Sequence, residues 1–156
     1  IISTSGLVAK TPTIPELMPR VGPFSMIKTA RGGLELDYQK QAVTLNGQDI
    51  VLGIFSLHYW DQYHRRAEAG YGLAHASWGQ GIGSEALLAI MQFGFEQMNL
   101  NRIYARTIAD NHESVRMLKR LGFQLEGTQR EHSWEDDGIF HDSAIYGLLA
   151  REFSAR

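Results

Sequence analysis

The chain contains no cysteine, which excludes disulfide frameworks, thiolate metal sites and a cysteinyl covalent intermediate in one step. Proline is nearly as scarce, and all four (Pro12, Pro15, Pro19 and Pro23) fall within residues 1–24. No long helix can run through that stretch, so an irregular arm is expected there, with a short strand at residues 6–10. Also missing is an apolar run near the roughly 20 residues that a membrane span takes. The N-terminus lacks the basic-then-apolar order of a signal peptide, and a cytoplasmic protein with no membrane partner is the expectation. A formal charge of −2 and a pI near 6.3 provide no broad basic field, so nucleic acid is not an expected partner. The six histidines (58, 64, 75, 112, 132 and 141) show neither a helical i, i+4 pair nor paired-ligand spacing. Structural or surface roles, and no metal, are expected of them.

What is present fits one compact unit. With 156 residues, 44% of them hydrophobic and 21% charged, the chain has the balance of a globular protein, and residues 1–156 are read as a single domain. Ser25 can cap a short helix over residues 26–31, which the Gly32-Gly33 pair would stop. Residues 41–45 and 50–59 flank Asn46-Gly47, the strongest short signal for an antiparallel hairpin. A third strand follows at 67–73 (AEAGYGL), where Gly70 and Gly72 mark a bulge or a close approach by another backbone or a ligand. Leu87, Ile90, Met91, Phe95 and Met98 recur at three- and four-residue steps and predict an amphipathic helix over 84–98. A strand over 103–108 leads to a second helix capped by Asp110 with Glu113 three residues on, and Gly122 ends it. Strands at 123–128 and 140–149 are joined by the acidic tip Glu135-Asp136-Asp137-Gly138.

The loop between the third strand and the first long helix carries the chemistry. Gly79, Gly81 and Gly83 lie within five residues, so the backbone can turn several N–H groups toward one point, and the helix adds its positive end. A pyrophosphate is the natural guest, because unpaired amides share its charge without a cationic side chain. No Lys-Ser/Thr follows, so this is no Walker loop. Gly81-x-Gly83-x-x-Ala86 does match a relaxed dinucleotide fingerprint, with Asp110 as the ribose-binding acid, so an NAD or FAD protein is the alternative. Against it, Gly79 comes six positions after Leu73, and the strands before the loop form a hairpin rather than a parallel crossover.

The stretch Gly70-Tyr71-Gly72-Leu73, Trp78-Gly79-Gln80-Gly81-Ile82-Gly83-Ser84-Glu85-Ala86-Leu87, Asn101-Arg102-Ile103, Asn111-x-x-Ser114, Leu121-Gly122-Phe123 and Glu126-Gly127-x-x-Arg130 resembles the GNAT superfamily of N-acetyltransferases. Its RimJ/RimL-type branch, which acetylates protein N-termini and other amines, is the most similar. The match covers residues 41–149, and the first 40 residues do not display the superfamily's opening strand. The resemblance implies an α/β (α+β) fold, with a mixed, mostly antiparallel sheet splayed at the central strand and helices on both faces. It implies acetyl-CoA as co-substrate. Leu73 and Ala74 would hold the pantetheine arm and thioester oxygen through their amides, and Asn111 would bind the pantetheine. Gln80, Gly81, Ile82, Gly83 and Ser84, with Trp78 and Gly79 at the mouth of the loop, would hold the pyrophosphate.

Without cysteine or a Gly-x-Ser-x-Gly elbow, direct attack of the amine on the thioester is the economical route. An alkylamine of pKa near 10.4 is only about 0.1% neutral at pH 7, a cost of roughly 4–5 kcal/mol, so a base is worth having. Glu68 on the third strand is the candidate base, directly or through water, with a solvated strand carboxylate as the plain alternative. The thiol leaves at a cost of only about 2 kcal/mol. The superfamily's usual acid, a tyrosine on the second helix, is replaced by Leu118. Ser114 resembles the serine proposed to contact the sulfur in this branch, and Tyr146 is a further candidate whose plainer role is core packing. The acceptor would be a small-molecule amine or a protein N-terminus. The acidic tip would attract a cationic amine or merely be solvated, and a homodimer is expected. A binding module that holds acyl-CoA without turnover is a further alternative.

Overall fold

The computed structural model describes residues 26–28, 34–37, 42–45 and 51–154. Eight strands form one sheet: β1 (Met26–Lys28), β2 (Leu34–Asp37), β3 (Ala42–Leu45), β4 (Val51–Asp61), β5 (Arg66–Leu73), β6 (Arg102–Ile108), β7 (Gln124–Trp134) and β8 (Phe140–Leu149). Their spatial order is β1-β2-β3-β4-β5-β6-β8-β7. Every pairing is antiparallel except β5 with β6. A 3-10 turn (His75–Ser77) and helices α1 (Ile82–Glu96), α2 (His112–Arg120) and α3 (Ala150–Phe153) complete the described elements. None of the described helices is long and apolar enough to cross a membrane.

The β5–β6 junction positions everything else. The two strands run parallel and pair only at Arg66↔Arg102, Ala67↔Ile103 and Glu68↔Tyr104. Beyond that rung β5 pairs with β4 alone, up to Gly53↔Leu73, while β6 pairs with β8 alone, down to Ile108↔Ser143. The sheet is therefore splayed open at its middle, as the family resemblance implied.

Strand alternation sorts residues onto two faces. Phe55, Leu57, Ala67, Ala69 and Ile103 share one face through the pairs Phe55↔Tyr71, Leu57↔Ala69 and Ala67↔Ile103. On it rests α1, whose Leu87, Ile90 and Met91 are fully buried. The close approach is at Gly94, where a Cβ would come within 2.9–3.1 Å of Leu57, Ile103 and Leu100. The apolar stripe of that helix thus faces the sheet as its spacing predicts, and the element starts two residues before Ser84. Helix α2 lies on the same side, with Ser114 against Tyr71 and Met117 near Gly83. Its Leu118 is wholly buried, which suits leucine and leaves no room for a polar acid. Among the described residues the opposite face, bearing Glu68, His58 and Tyr104, carries no helix, so the expected covering is seen on one side.

Three local expectations are corrected. Residues 26–28 are strand, not the start of a helix: Met26, Ile27 and Lys28 pair with Asp37, Leu36 and Glu35 of the unanticipated β2. A six-residue helix is marginal alone, and ladder bonds to a distant segment outweigh one capping residue. The α2 cap is Asn111 rather than Asp110, its side chain accepting from the Ser114 amide at 3.1 Å. Strand β7 runs on to Trp134 across a register shift between Gln129 and Ser133. Strands β3 and β4 pair as the hairpin reading requires. Asn46-Gly47, the arm at 1–24 and the short strand at 6–10 lie outside the described residues.

Candidate functional site

The glycine loop enters α1 in a conformation that needs its glycines. Gly79 and Gly81 have φ of +72° and +81°, the left-handed region where a Cβ is strained. Gly81 is the N-cap, so no side chain caps the helix. Glu85 is the first residue whose amide finds a helical acceptor, Gly81 O at 3.0 Å. Among the described residues no acceptor takes the amides of residues 79–84. That leaves a row of donors at a helix N-terminus, the arrangement suited to a phosphate group. Arg120, at the end of α2, reaches in from the other helix and donates to Ser84 Oγ at 3.0 Å. A cation therefore stands beside the loop, which the sequence reading missed because the two residues lie 36 apart.

The strand that leads into the loop is partly self-satisfied. The Ala74 amide donates to Leu52 O at 2.8 Å, which corrects the expectation that it is a free donor. Trp78 folds back so that its indole N–H donates to Leu73 O at 2.8 Å, while the residue is 55% exposed and its ring lies against His75. The side-chain amide of Gln80 bonds Ala76 O. At Gly70 the close neighbour is the protein's own His58, whose ring carbon would sit 2.5 Å from an added Cβ, whereas nothing stands within 4 Å of a Cβ at Gly72.

Glu68 sits on the last paired rung before the splay. It is 8% exposed, and its Oε2 has no hydrogen-bond partner among the described residues. His58 Nε2 stands 3.9 Å from Oε1 and Arg106 Nη2 3.7 Å from Oε2. Arg106 in turn meets His132 Nε2 at 2.9 Å. Tyr104, opposite Glu68, has its phenol pushed above the ordinary value by burial and then by the Glu68 charge.

Across the gap Ser114, also 8% exposed, shares a 2.6 Å hydrogen bond with Tyr71 Oη. Burial raises the Tyr71 phenol above its ordinary range, and the Ser114 hydrogen bond opposes that shift. The Asn111 side-chain oxygen, Oδ1, accepts from the Ser114 amide. Tyr146 is 3% exposed and faces the same interior as Tyr71. At the acidic tip Asp137 is held by His141 at 2.7 Å and by the Ile139 amide, a self-bonded hairpin end beside the exposed, edge-to-face Trp134–Phe140 pair.

The site thus joins a row of unpartnered amides, a gap in the sheet, and a carboxylate and a hydroxyl on its two sides. Comparison with known proteins places the chain in a family. Residues 23–124 match the acetyltransferase (GNAT) domain family. The uncharacterized N-acetyltransferase p20 of Bacillus licheniformis is 32% identical over 142 residues, covering 86% of this chain and 79% of that protein. The ribosomal-protein-serine acetyltransferase of Escherichia coli (strain K12) is 30% identical over 125 residues, covering 78% and 69%. A crystal structure of a probable acetyltransferase superposes with a TM-score of 0.67 at 34% identity, covering 71% of this chain and 61% of that one. The chain therefore spans about three fifths of the solved protein. The match to the family over more than half the chain, together with a relative 32% identical over 86% of it, shows that this chain belongs to the GNAT acetyltransferase family.

Proposed function

We propose that this chain transfers the acetyl group of acetyl-CoA to a primary amine by direct attack on the thioester. The observation that carries this reading is the row of unpartnered amides at residues 79–84, placed where β5 and β6 part. Gly79, Gln80, Gly81, Ile82, Gly83 and Ser84 hold the pyrophosphate through backbone donors, and Arg120 adds the charge that backbone donors lack. The pantetheine arm runs along the β5 edge at Leu73, with the Asn111 side-chain N–H₂ free to donate and Trp78 closing the corner. This group supplies an activated acyl carbon, and the protein's own residues do the rest.

Glu68 and Ser114 approach the gap from opposite faces, so the amine and the leaving sulfur occupy separate sides. On the Glu68 face the carboxylate takes a proton from the incoming ammonium, directly or through one water. The C–N bond then forms as the C–S bond breaks, the nitrogen passes its second proton to solvent, and Ser114 Oγ–H donates to the sulfur as its negative charge develops. A protein N-terminus is the acceptor we favour, and the Escherichia coli relative named for a ribosomal-protein serine supports that choice.

Thiol release from acetyl-CoA across alkylamines and N-terminal peptides tests the reading. Turnover of at least one amine is expected, together with calorimetric binding of coenzyme A and none of NAD. Binding of NAD, or coenzyme binding with no turnover of any amine, would replace the transferase by one of the two alternatives.

A further inference from the structure

We infer that Tyr71 is a positioning residue for the leaving-group side of the reaction: its hydroxyl donates to Ser114 Oγ and so turns the serine hydrogen toward the departing sulfur. The inference rests on the transferase reading and goes beyond it, because Tyr71 lies on β5 and not on the helix that carries Ser114.

The 2.6 Å geometry of the two hydroxyls lets either one donate, and their acidities choose between the two directions. A phenol is a far stronger acid than an alkyl alcohol, so Tyr71 is the better donor and Ser114 the better acceptor. Once Ser114 Oγ accepts, its own hydrogen must point elsewhere, and among the described residues no acceptor takes it. The serine has little room to turn. It is 8% exposed, and its amide is pinned by Asn111 in the first turn of α2. Tyr71 is equally fixed, with its ring stacked on Phe55 at 6.3 Å and 23°. The pair bridges β5 to α2 across the splayed stretch, where β5 has no β6 partner.

Two hydroxyls in series donate better than one. A hydroxyl that accepts a hydrogen bond becomes a stronger donor, and the gain is larger in a site shielded from water. As the C–S bond breaks, the sulfur keeps the bonding pair, Ser114 Oγ–H bonds to it, and Tyr71 Oη–H bonds to Ser114. Neither hydroxyl need lose its proton, since the thiol of about pKa 8.5 departs readily as thiolate and is protonated by solvent. Burial keeps the Tyr71 phenol protonated through neutral pH.

The test compares Tyr71→Phe, Ser114→Ala and the double variant in the thiol-release assay, with thermal melting as the check on folding. Tyr71→Phe keeps the ring on Phe55 and is expected to lower kcat about tenfold, with KM for acetyl-CoA within about twofold, the loss of one hydrogen bond made in the transition state. The double variant should be no slower than Ser114→Ala alone, because Tyr71 acts through Ser114. Unchanged kcat in Tyr71→Phe, or losses that multiply in the double variant, would overturn the inference while leaving the transferase intact. A loss carried in KM with kcat preserved would assign Tyr71 to packing and overturn it too. Should Tyr71→Phe melt early, the test runs from the other end: Ser114→Ala must lower kcat at constant KM, and failure to do so removes the target of the positioning. A parent protein inactive on every amine would defeat the transferase reading and this inference with it.

Discussion

Glu68 is buried at a point where burial is expensive. An acceptor oxygen without a donor costs free energy in the resting protein, and Oε2 of Glu68 is such an atom. Arg106 at 3.7 Å and His58 at 3.9 Å stand too far off for good hydrogen bonds, which leaves the carboxylate able to accept from an ammonium or a water. Its worth as a base depends on the amine. Glu68→Gln is expected to lower kcat/KM about 100-fold for an alkylamine. For an N-terminal peptide, whose amine of pKa near 8 is already about one-tenth neutral at pH 7, the loss should be several-fold smaller. Rates measured on both acceptors decide, and equal losses would mean that Glu68 serves the fold rather than the proton. Arg120 carries a separate expectation. Arg120→Met should raise KM for acetyl-CoA by about three- to tenfold with kcat preserved, and make KM less sensitive to salt than in the parent. An unchanged KM would confine phosphate binding to the backbone.

Between β4 and β5 the fold relies on an absent side chain. A Cβ at Gly53 would stand 2.6 Å from the backbone oxygen of Gly72, which cannot step aside as a side chain could, while a Cβ at Gly72 meets nothing within 4 Å. Gly53→Ala is therefore expected to destabilise by about 1–3 kcal/mol, and Gly72→Ala to stay within about 0.5 kcal/mol of the parent. Urea melts of the two variants separate these outcomes, and equal stabilities would show that the strand pair has room to spare. The same contrast shows what a sequence can say about elements. Two glycines in AEAGYGL announce a special strand, but not that Gly70 makes way for His58. The α1 stripe was legible because Leu87, Ile90 and Met91 repeat with the period that burial imposes. β8 was legible at both ends. β1 was misread because Ser25 and Gly32-Gly33 are local signals and its pairing with β2 is not. Asp110 and Asn111 are adjacent residues of similar capping power, and spacing does not choose between them. Within the site, the loop glycines and Glu68 stood out by type and place. The contacts Tyr71–Ser114 and Arg120–Ser84 join residues 43 and 36 apart, information that only the folded chain contains.

Taken as a whole, the molecule fastens the three strands beyond the splay with charge as well as with core. Arg102 on β6 grips Glu126 on β7 in a two-pronged ion pair that passes over Gly147 of β8, so the pair ties strands that do not touch in the ladder. The Arg102 hydrogen bonds hold the Glu126 carboxyl below its usual 4.5. Asp61 is likewise lowered, first by the His64 amide and then by its ring, and Asp137 by the His141 ring. A carboxyl whose value is depressed in the folded chain stabilises it above the unfolded value and withdraws that support as pH falls through the folded one. Stability should therefore decline on acidification below about pH 4.5. Glu126 is 39% exposed on its side chain, so water screens the pair and its share at pH 7 is at most about 1 kcal/mol. Glu126→Gln isolates that share. The variant's urea midpoint should lie slightly below the parent's at pH 7 and converge on it as pH falls past 4, because protonation removes from the parent what the substitution removed already. Midpoints that stay parallel down to pH 3 would mean that the sheet beyond the splay is held by packing alone, with the Arg102–Glu126 pair a passenger on its surface.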